Sequence, residues 1–216
     1  MDITDAALTP EPDEQTTAKQ AVRRSVLAAR RALSPAAVET AAAGVRARLG
    51  DLLAGRRGLT VCAYVPIGRE PGGPDLPERL AAPPGVARLL LPVLLPDLDL
   101  DWTAYTGPAS LTATPRGLRE PTGPLLGCAA IAAADLVLVP AVAVDRDGVR
   151  LGRGGGSYDR ALVRVTLDTP VVALLYDAEL LDRLPAQEHD QRVHAALTPT
   201  RTAWLRPVPG WSGRDV

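Results

Sequence analysis

The sequence "DLVLVPAVAVDRDGVRLGRGGGSYDR", residues 135–160, decides the fold class of this chain. It opens with a continuous run of valine, leucine and alanine, which predicts a buried strand over residues 135–145. Asp-Arg-Asp-Gly at 145–148 is a turn signal, and the glycine-rich segment after it leads into a helix. One face of that helix is apolar and carries Tyr158, Ala161, Leu162 and Val165. A buried strand that leads through glycines into a helix is typical of an α/β domain.

The rest of the chain repeats this alternation. Helices are predicted from near Thr17 to residue 33, from the Ser34 cap to residue 55, over 76–81 and over 178–185. Strands are predicted over residues 59–66, 87–94, 98–105 and 170–177, with two short ones between 193 and 205. The strand over 98–105 alternates apolar and polar residues, so we expect it to be half-buried. Residues 106–127 are rich in Gly, Pro and Thr and predict a long loop.

This pattern predicts one domain over residues 17–205, with a three-layer α/β/α architecture and a mainly parallel central sheet. We expect residues 1–16 to form a disordered tail and residues 206–216 a C-terminal tail. In open parallel sheets, ligands bind beyond the carboxyl ends of the strands. The glycine-rich segment, residues 150–160, follows the most apolar strand and therefore lies where a ligand is expected.

Composition limits the classes of partner. The chain has 216 residues and a net charge of −1, which gives no general attraction to nucleic acid or to a membrane surface. No apolar run is long enough to span a membrane, and the acidic N-terminus does not resemble a signal peptide. Cys62 and Cys128 are far apart among apolar residues and predict two buried thiols in a reducing compartment. We therefore expect a soluble cytoplasmic protein.

The glycine-rich segment matches neither common nucleotide-binding pattern. No lysine follows the glycines, as a Walker A loop requires, and the Rossmann glycine spacing fails at Ser157 or Asp159. Consecutive glycines still allow backbone N–H groups to approach an anion, and Arg150 and Arg153 can add charge-assisted hydrogen bonds. Asp159 can hold Mg²⁺ next to phosphates, or it can simply complement the positive end of the helix. A plain tight turn remains the alternative for the glycines.

Five stretches of the sequence, in order, resemble one family. "LVLVPAVAVDRDGVRLGRGGGSYDRAL" closely resembles the signature of the 5-formyltetrahydrofolate cyclo-ligases, also called methenyltetrahydrofolate synthetases. "KQAVRRSVLAARRALSP", "YVPIGRE", "GLREP" and "LPAQEHDQRVHAALTPT" are similar to other segments of the same family. Together they span about residues 18–200. The resemblance implies a Rossmann-like topology similar to that of sugar-phosphate isomerases and CoA transferases.

The resemblance also implies an activity. Members of this family use ATP and Mg²⁺ to convert 5-formyltetrahydrofolate into 5,10-methenyltetrahydrofolate, through a phosphorylated formyl intermediate, with release of ADP and phosphate. An amide-like formyl oxygen is a poor leaving group, so the energy has to come from ATP. We therefore expect a monomeric ligase whose small-molecule partner is 5-formyltetrahydrofolate, with or without a polyglutamate tail, and which has no nucleic-acid or membrane partner.

The family's functional residues map onto positions of this sequence. Lys19 and Arg153 are the expected catalytic residues, and Asp159 and Asp190 are the expected magnesium ligands. Lys19 is also the only lysine among 24 lysine and arginine residues. The expected ATP-binding residues are Lys19, Arg23, Arg150, Leu151, Gly152, Arg153, Gly154, Gly155, Gly156, Ser157 and Tyr158. The expected folate-binding residues are Val65, Glu70, Arg153, Gly154, Gly155, Gly156 and Ser157.

Three positions depart from the family pattern. Ser157 replaces the first of two tyrosines, His194 stands where a second aspartate often follows the His-Asp pair, and Gly73 stands where a threonine is common. None removes a phosphate- or metal-binding group, but they leave open a nucleotide- or folate-binding module without turnover. An isomerase- or CoA-transferase-like enzyme on a similar scaffold is a weaker alternative. We expect a surface role for His189 and His194.

Overall fold

A computed structural model of the protein describes residues 12–187 and 190–211. The four α-helices in these ranges are α1 (Pro12–Ala32), α2 (Pro35–Leu53), α3 (Leu76–Ala81) and α4 (Ser157–Leu162). The first strands are β1 (Leu59–Cys62), β2 (Val86–Leu94), β3 (Leu100–Ala104), β4 (Leu111–Ala113), β5 (Arg119–Pro121) and β6 (Leu136–Pro140). The later strands are β7 (Ala143–Asp145), β8 (Arg150–Leu151), β9 (Val171–Leu174), β10 (Leu180–Leu181), β11 (Ala195–Leu197) and β12 (Thr202–Trp204).

A seven-stranded sheet forms the middle of the molecule, with the strand order β12-β11-β9-β6-β1-β2-β3. The inner strands β11, β9, β6, β1 and β2 run parallel, while β12 and β3 pair antiparallel at the two edges. Strands β6 and β9 are in register from Val137 opposite Val171 to Pro140 opposite Leu174. This confirms the prediction of a mainly parallel central sheet.

Two apolar cores cover the two faces of this sheet. Side chains alternate along a strand, so Leu136 and Leu138 of β6 pack with helix α2, and Val137 and Val139 pack on the opposite face. Helices α2 and α3 cover the first face. The opposite face is covered by α4 and by a 3₁₀ helix over Cys128–Ala133. The predicted three-layer architecture is therefore confirmed.

Helix α1 packs on a separate small sheet of order β10-β7-β8. Val22, Val26 and Leu27 on α1 contact a cluster that includes Val142 and Leu151. Because β7 leads into the glycine-rich segment and β8 forms its first two residues, this contact brings α1 next to that segment.

Several predicted boundaries were wrong. Helix α1 begins at Pro12 rather than near Thr17, so residues 12–16 are helical rather than part of a tail. The single strand predicted over residues 135–145 is two strands in two sheets, because the chain leaves the main sheet after Pro140. The helix predicted over 178–185 is instead a 3₁₀ turn, Asp177–Glu179, followed by β10.

Other differences concern burial. Strand β3 is almost wholly buried rather than half-buried, because β2, α4 and the 3₁₀ helix over Cys128–Ala133 pack around it. The segment predicted as a loop over residues 106–127 contains the antiparallel hairpin β4–β5. Val208, predicted in a C-terminal tail, is buried. Among the described residues, no helix is long and apolar enough to cross a membrane.

Candidate active site

A cleft of about 750 Å³ lies beyond the carboxyl ends of β1 and β6 of the central sheet, where Tyr64 and Ala141 line it together with the glycine-rich segment. Its volume is within the range of pockets that bind drug-sized ligands. Every site residue predicted from the sequence lines this one cleft. They are Lys19, Arg23, Val65, Glu70, Arg150, Leu151, Gly152, Arg153, Gly154, Gly155, Gly156, Ser157, Tyr158, Asp159 and Asp190.

The glycine-rich segment forms one wall of the cleft and leads directly into α4. Gly156 caps α4 in the left-handed conformation, with φ 70° and ψ 2°, which costs glycine little and other residues much more. Gly154 also has a positive φ, 107°. Positive φ values at two closely spaced glycines allow backbone N–H groups to turn toward one side, which is an arrangement that binds anions. The Arg160 side chain donates to the Gly155 carbonyl at 3.0 Å and holds the segment in this shape.

Helix α1 supplies two cations to the cleft. Lys19 is only 6% exposed, and its Nζ donates to Asp190 Oδ2 at 2.6 Å and to Gln187 Oε1 at 2.9 Å. Arg23, one turn later, donates from Nε to the Gly152 carbonyl at 2.8 Å. The helix that carries the only lysine is therefore connected directly to the glycine-rich segment.

Arg150 and Asp159 form an ion pair at the base of the glycine-rich segment. The pair joins Nη2 and Oδ1 at 2.8 Å, and the arginine side chain is almost fully enclosed. Arg150 also lies over the Tyr158 ring, with 5.7 Å from its guanidinium carbon to the ring centroid. Its Nε is buried without a hydrogen-bond partner in the described ranges. The pair closes the glycine-rich segment on itself, because Arg150 precedes the glycines and Asp159 follows them.

Arg153 and Glu70 connect the glycine-rich segment to the loop after β1. Glu70 is buried, and its Oε1 accepts hydrogen bonds from Arg153 at 2.9 Å. The other oxygen accepts the Ile67 N–H at 3.0 Å, which fixes the carboxylate plane. The Arg153 side chain is 51% exposed, so it can exchange this partner for a ligand anion more easily than Arg150 can.

Asp159 and Asp190 suit Mg²⁺ only in combination with other oxygens. Each carboxylate already has a cationic partner, and the described residues contain no group of three or more His, Cys, Asp or Glu that could hold an ion. Mg²⁺ commonly binds through one or two carboxylates together with substrate phosphates and water. The donor set therefore fits a phosphate-bound magnesium ion, but not a metal cage made by the protein alone.

The cleft also contains residues that sequence reasoning missed. Tyr64 lies in its floor, and its hydroxyl, like that of Tyr158, is buried without a hydrogen-bond partner among the described residues. Burial, reinforced by the nearby Glu70 carboxylate, raises the pKa of both phenols, so both stay neutral. An apolar wall from β2 and β3 and the Arg119 side chain of β5 were not predicted either. Tyr64 could have been predicted to line the cleft, because it precedes Val65, which was expected to bind folate.

The departures from the family pattern lie mostly outside the cleft. Gly73 has φ 81°, so a threonine there would be strained, and it does not line the cleft. His194 is half-buried, and its Nδ1 accepts the Val171 N–H at 3.0 Å, so its role is structural rather than on the surface. His189 lies outside the described residues. Cys62 and Cys128 are free, but only Cys62 is buried as predicted, whereas Cys128 is partly exposed. Burial raises the pKa of Cys62 to about 12, which makes it a poor nucleophile.

Comparison with known proteins gives consistent matches. The model of the 5-formyltetrahydrofolate cyclo-ligase family matches residues 15–199. The chain is 44% identical over 189 residues to a 5-formyltetrahydrofolate cyclo-ligase of Mycolicibacterium smegmatis, which covers 85% of this chain and 94% of the relative. The NMR structure of 5,10-methenyltetrahydrofolate synthetase from Aquifex aeolicus superposes with a TM-score of 0.72 and 26% identity, covering 91% of this chain and 97% of that one. The synthetase from Mycoplasma pneumoniae, 22% identical with a TM-score of 0.67, covers 84% of this chain and 98% of its own and shares the fold.

Proposed function

Because the chain belongs to the 5-formyltetrahydrofolate cyclo-ligase family, we propose that it converts 5-formyltetrahydrofolate into 5,10-methenyltetrahydrofolate with consumption of ATP. The observation that carries this proposal is the cleft itself. Lys19, Arg23, Arg150 and Arg153 surround a run of glycines there. Such a site suits a polyphosphate, and the apolar wall beside it suits a flat organic ring.

The proposed reaction has two steps, a phosphoryl transfer and a ring closure. The formyl oxygen of the substrate attacks the γ-phosphorus of ATP, the bond to the bridging oxygen breaks, and ADP leaves. Nitrogen N10 then attacks the formyl carbon, the activated oxygen departs as phosphate, and N10 loses its proton. Neither step needs a covalent enzyme intermediate, so the protein contributes mainly positioning and charge stabilisation.

The phosphate side of this proposal rests on α1 and the glycine-rich segment. The backbone N–H groups of Gly154, Gly155 and Gly156 bind phosphate oxygens, and the N-terminus of α4 adds a partial positive charge. Lys19 stabilises negative charge that develops on the transferred phosphoryl group. Asp190 and Gln187 hold its ammonium in place beforehand, so little reorganisation is needed during the reaction.

Magnesium belongs to the proposal as well. Asp159 and Asp190 would hold it together with the ATP phosphates, because both carboxylates line the cleft next to the glycines. When bound, the ion neutralises phosphate charge. Arg150 keeps Asp159 oriented toward the cleft through the ion pair described above.

The folate side rests on Glu70, Val65 and the residues from Arg153 to Ser157. Glu70 is an acceptor held by two donors, and a carboxylate has further lone pairs for the N–H groups of a pterin ring. Val65 provides an apolar contact beside it. Ser157 leaves more open space than the tyrosine of related sequences, so this part of the pocket encloses the ring less tightly.

The decisive experiment measures methenyl absorbance in the near ultraviolet with purified protein, 5-formyltetrahydrofolate, Mg²⁺ and ATP. We expect product only when ATP is present, with one ADP released for each product molecule. No product under these conditions would exclude the proposed reaction. Tight folate binding by calorimetry without ATP consumption would instead identify a binding module. A monomeric state and a cytoplasmic location are further parts of the proposal, and sedimentation tests the first.

A further inference from the structure

Arg119 lines the cleft from the hairpin β4–β5, on the side of strands β2 and β3. The other cationic residues of the cleft are on α1 or in the glycine-rich segment. Arg119 is exposed, and it lines both the cleft and a smaller hollow of about 220 Å³ next to Tyr105. It therefore places positive charge at the margin of the cleft, away from the glycines.

Arg119 also differs from the other cations in its partners. Within the described ranges, five cationic side chains line the cleft. Lys19, Arg150 and Arg153 each pair with a carboxylate, and Arg23 donates to a backbone carbonyl. The Arg119 guanidinium forms no ion pair and donates no hydrogen bond within residues 12–187 and 190–211. An unpaired arginine at the margin of a ligand cleft is available to a ligand anion.

The hairpin that carries Arg119 is fixed to the sheet. Glu120, the next residue, accepts the Leu94 N–H at 3.1 Å, and this bond attaches β5 to the end of β2. Thr122 donates to the Ser110 carbonyl through its backbone N–H at 2.9 Å and closes the base of the hairpin. Arg119 therefore extends from a defined backbone position.

The surface between Arg119 and the buried end of the cleft is apolar. Pro92 and Leu94 of β2, Leu100 of β3 and Leu118 beside Arg119 form it. The folate substrate has a matching order of groups: a pterin, then an aminobenzoyl ring, then a glutamate with two carboxylates. With the pterin at Glu70, the aminobenzoyl ring lies on the apolar wall and the glutamate reaches the margin.

We propose that Arg119 binds a carboxylate of the substrate's glutamate and so selects folates that carry this tail. The inference rests on the proposed function, because it takes 5-formyltetrahydrofolate as the ligand. The cleft of about 750 Å³ has to accommodate ATP together with the folate. The polar end of the folate therefore stays near solvent, where an exposed arginine can meet it.

The test compares two substrates that differ only in the tail: 5-formyltetrahydrofolate and 5-formyltetrahydropteroate, which lacks the glutamate. We expect Arg119→Ala to raise KM for the first about five-fold, as for an exposed charge pair, with little change in kcat or in KM for ATP. Arg119→Ala should leave KM for 5-formyltetrahydropteroate unchanged. Arg119→Lys should recover part of the loss. Added salt should raise the KM for 5-formyltetrahydrofolate more in the wild type than in Arg119→Ala, because salt screens an exposed charge pair.

Arg116→Ala is the matched control, since Arg116 is an exposed arginine in the turn of the same hairpin that does not line the cleft. An equal rise in KM for both substrates, a rise in KM for ATP, or no change in Arg119→Ala would each overturn the inference. Calorimetric titration of both folates into the wild type and into Arg119→Ala measures binding directly, so this test does not depend on turnover. If the wild type makes no methenyl product, the proposed function fails, while the titration still decides the role of Arg119.

Discussion

Lys19 and Asp190 are 171 positions apart in the chain, yet their side chains form an ion pair of 2.6 Å. Both side chains are nearly enclosed, with 7% and 9% of their surfaces exposed. The pair joins the first helix to the segment before β11 and closes one side of the cleft. It also leaves the ammonium oriented toward the ligand space, which is the arrangement expected for a group that stabilises phosphoryl transfer.

Replacing Lys19 should therefore abolish most of the activity. We expect Lys19→Ala to lower kcat by about a hundred-fold or more, because one preorganised charge is lost. Lys19→Arg should recover little, since the planar guanidinium cannot take the place of a compact ammonium between Asp190 and Gln187. Arg24→Ala on the exposed side of α1 is the control and should keep full activity. Normal turnover of Lys19→Ala would remove this residue from the mechanism.

Asp159 should control the magnesium requirement. Asp159→Asn removes the charge but keeps the shape, and we expect the Mg²⁺ concentration for half-maximal activity to rise about ten-fold or more. The loss of the Arg150 ion pair also affects stability, so thermal unfolding is measured alongside. Asp182→Asn is the control, because Asp182 pairs with Arg146 on the exposed surface. An unchanged Mg²⁺ dependence in folded Asp159→Asn would contradict the assignment.

The substitution Ser157→Tyr should tighten folate binding. Ser157 is the first residue of α4 and lines the cleft beside the glycines, so a tyrosine there adds an aromatic wall. We expect KM for 5-formyltetrahydrofolate to fall about two- to ten-fold, the range of one aromatic contact, while KM for ATP stays the same. Ser157→Ala adds no ring and should leave both constants near those of the wild type. A higher folate KM in Ser157→Tyr would show that the ring blocks the pocket.

The sequence predicted which residues line the cleft better than it predicted the strands and helices that carry them. The glycine-rich segment was predictable because its motif is continuous and its physical role is local. Lys19 was predictable because the only lysine coincides with the family's lysine position. Their proximity was expected only from the family resemblance, since no local pattern shows that α1 packs against β7 and β8.

Two errors have clear physical causes. The apolar run over residues 135–145 carries no signal that its halves belong to different sheets, apart from Pro140, which cannot donate to a strand. The segment over 106–127 has turn-forming residues throughout, and its hairpin is fixed by long-range bonds such as that from Leu94 N–H to Glu120. Arg119 was therefore missed, because nothing in the sequence places this hairpin beside the cleft.

A buried ion pair outside the cleft should dominate the stability of α1. Arg30 Nε and Nη2 donate to the two oxygens of Glu179 at 2.6 and 2.7 Å, and Nη2 also donates to the Ala141 carbonyl. Burial raises the pKa of Glu179, although the Arg30 guanidinium opposes this shift. Removing only the arginine leaves an uncompensated buried carboxylate.

We expect Arg30→Met to lower the free energy of unfolding by about 3–5 kcal/mol, measured by urea titration. The double variant Arg30→Met/Glu179→Leu should be more stable than Arg30→Met, because no buried charge remains. Arg46→Met, which breaks a pair with the exposed Glu39, is the control and should cost about 1 kcal/mol or less. A double variant less stable than Arg30→Met would show that Glu179 stabilises the fold even without Arg30, through the bond it accepts from the Tyr176 N–H.

His194 gives the protein a pH-dependent element at the edge of the sheet. Its Nδ1 accepts the N–H of Val171, the first residue of β9, and the backbone N–H of His194 donates to the Val171 carbonyl at 2.8 Å. An imidazole that accepts at Nδ1 has to be unprotonated there. Burial, assisted by the Arg206 charge, lowers the pKa of His194 in the folded protein.

Stability should therefore fall as the pH drops below the unfolded-state pKa of His194. In the unfolded chain His194 binds a proton at about pH 6.5, whereas in the folded chain it binds the proton only at lower pH. Acid therefore favours unfolding as the pH falls below the pKa of the unfolded state. His194→Asn retains a side-chain acceptor for the Val171 N–H without the titration. We expect its urea midpoint to change less than that of the wild type between about pH 7.5 and pH 5, a window above the ordinary carboxylate pKa values. His189→Asn controls for the other histidine and should follow the wild type. If the stability of His194→Asn and that of the wild type depend equally on pH, titration of His194 is not the cause and other groups account for the pH dependence.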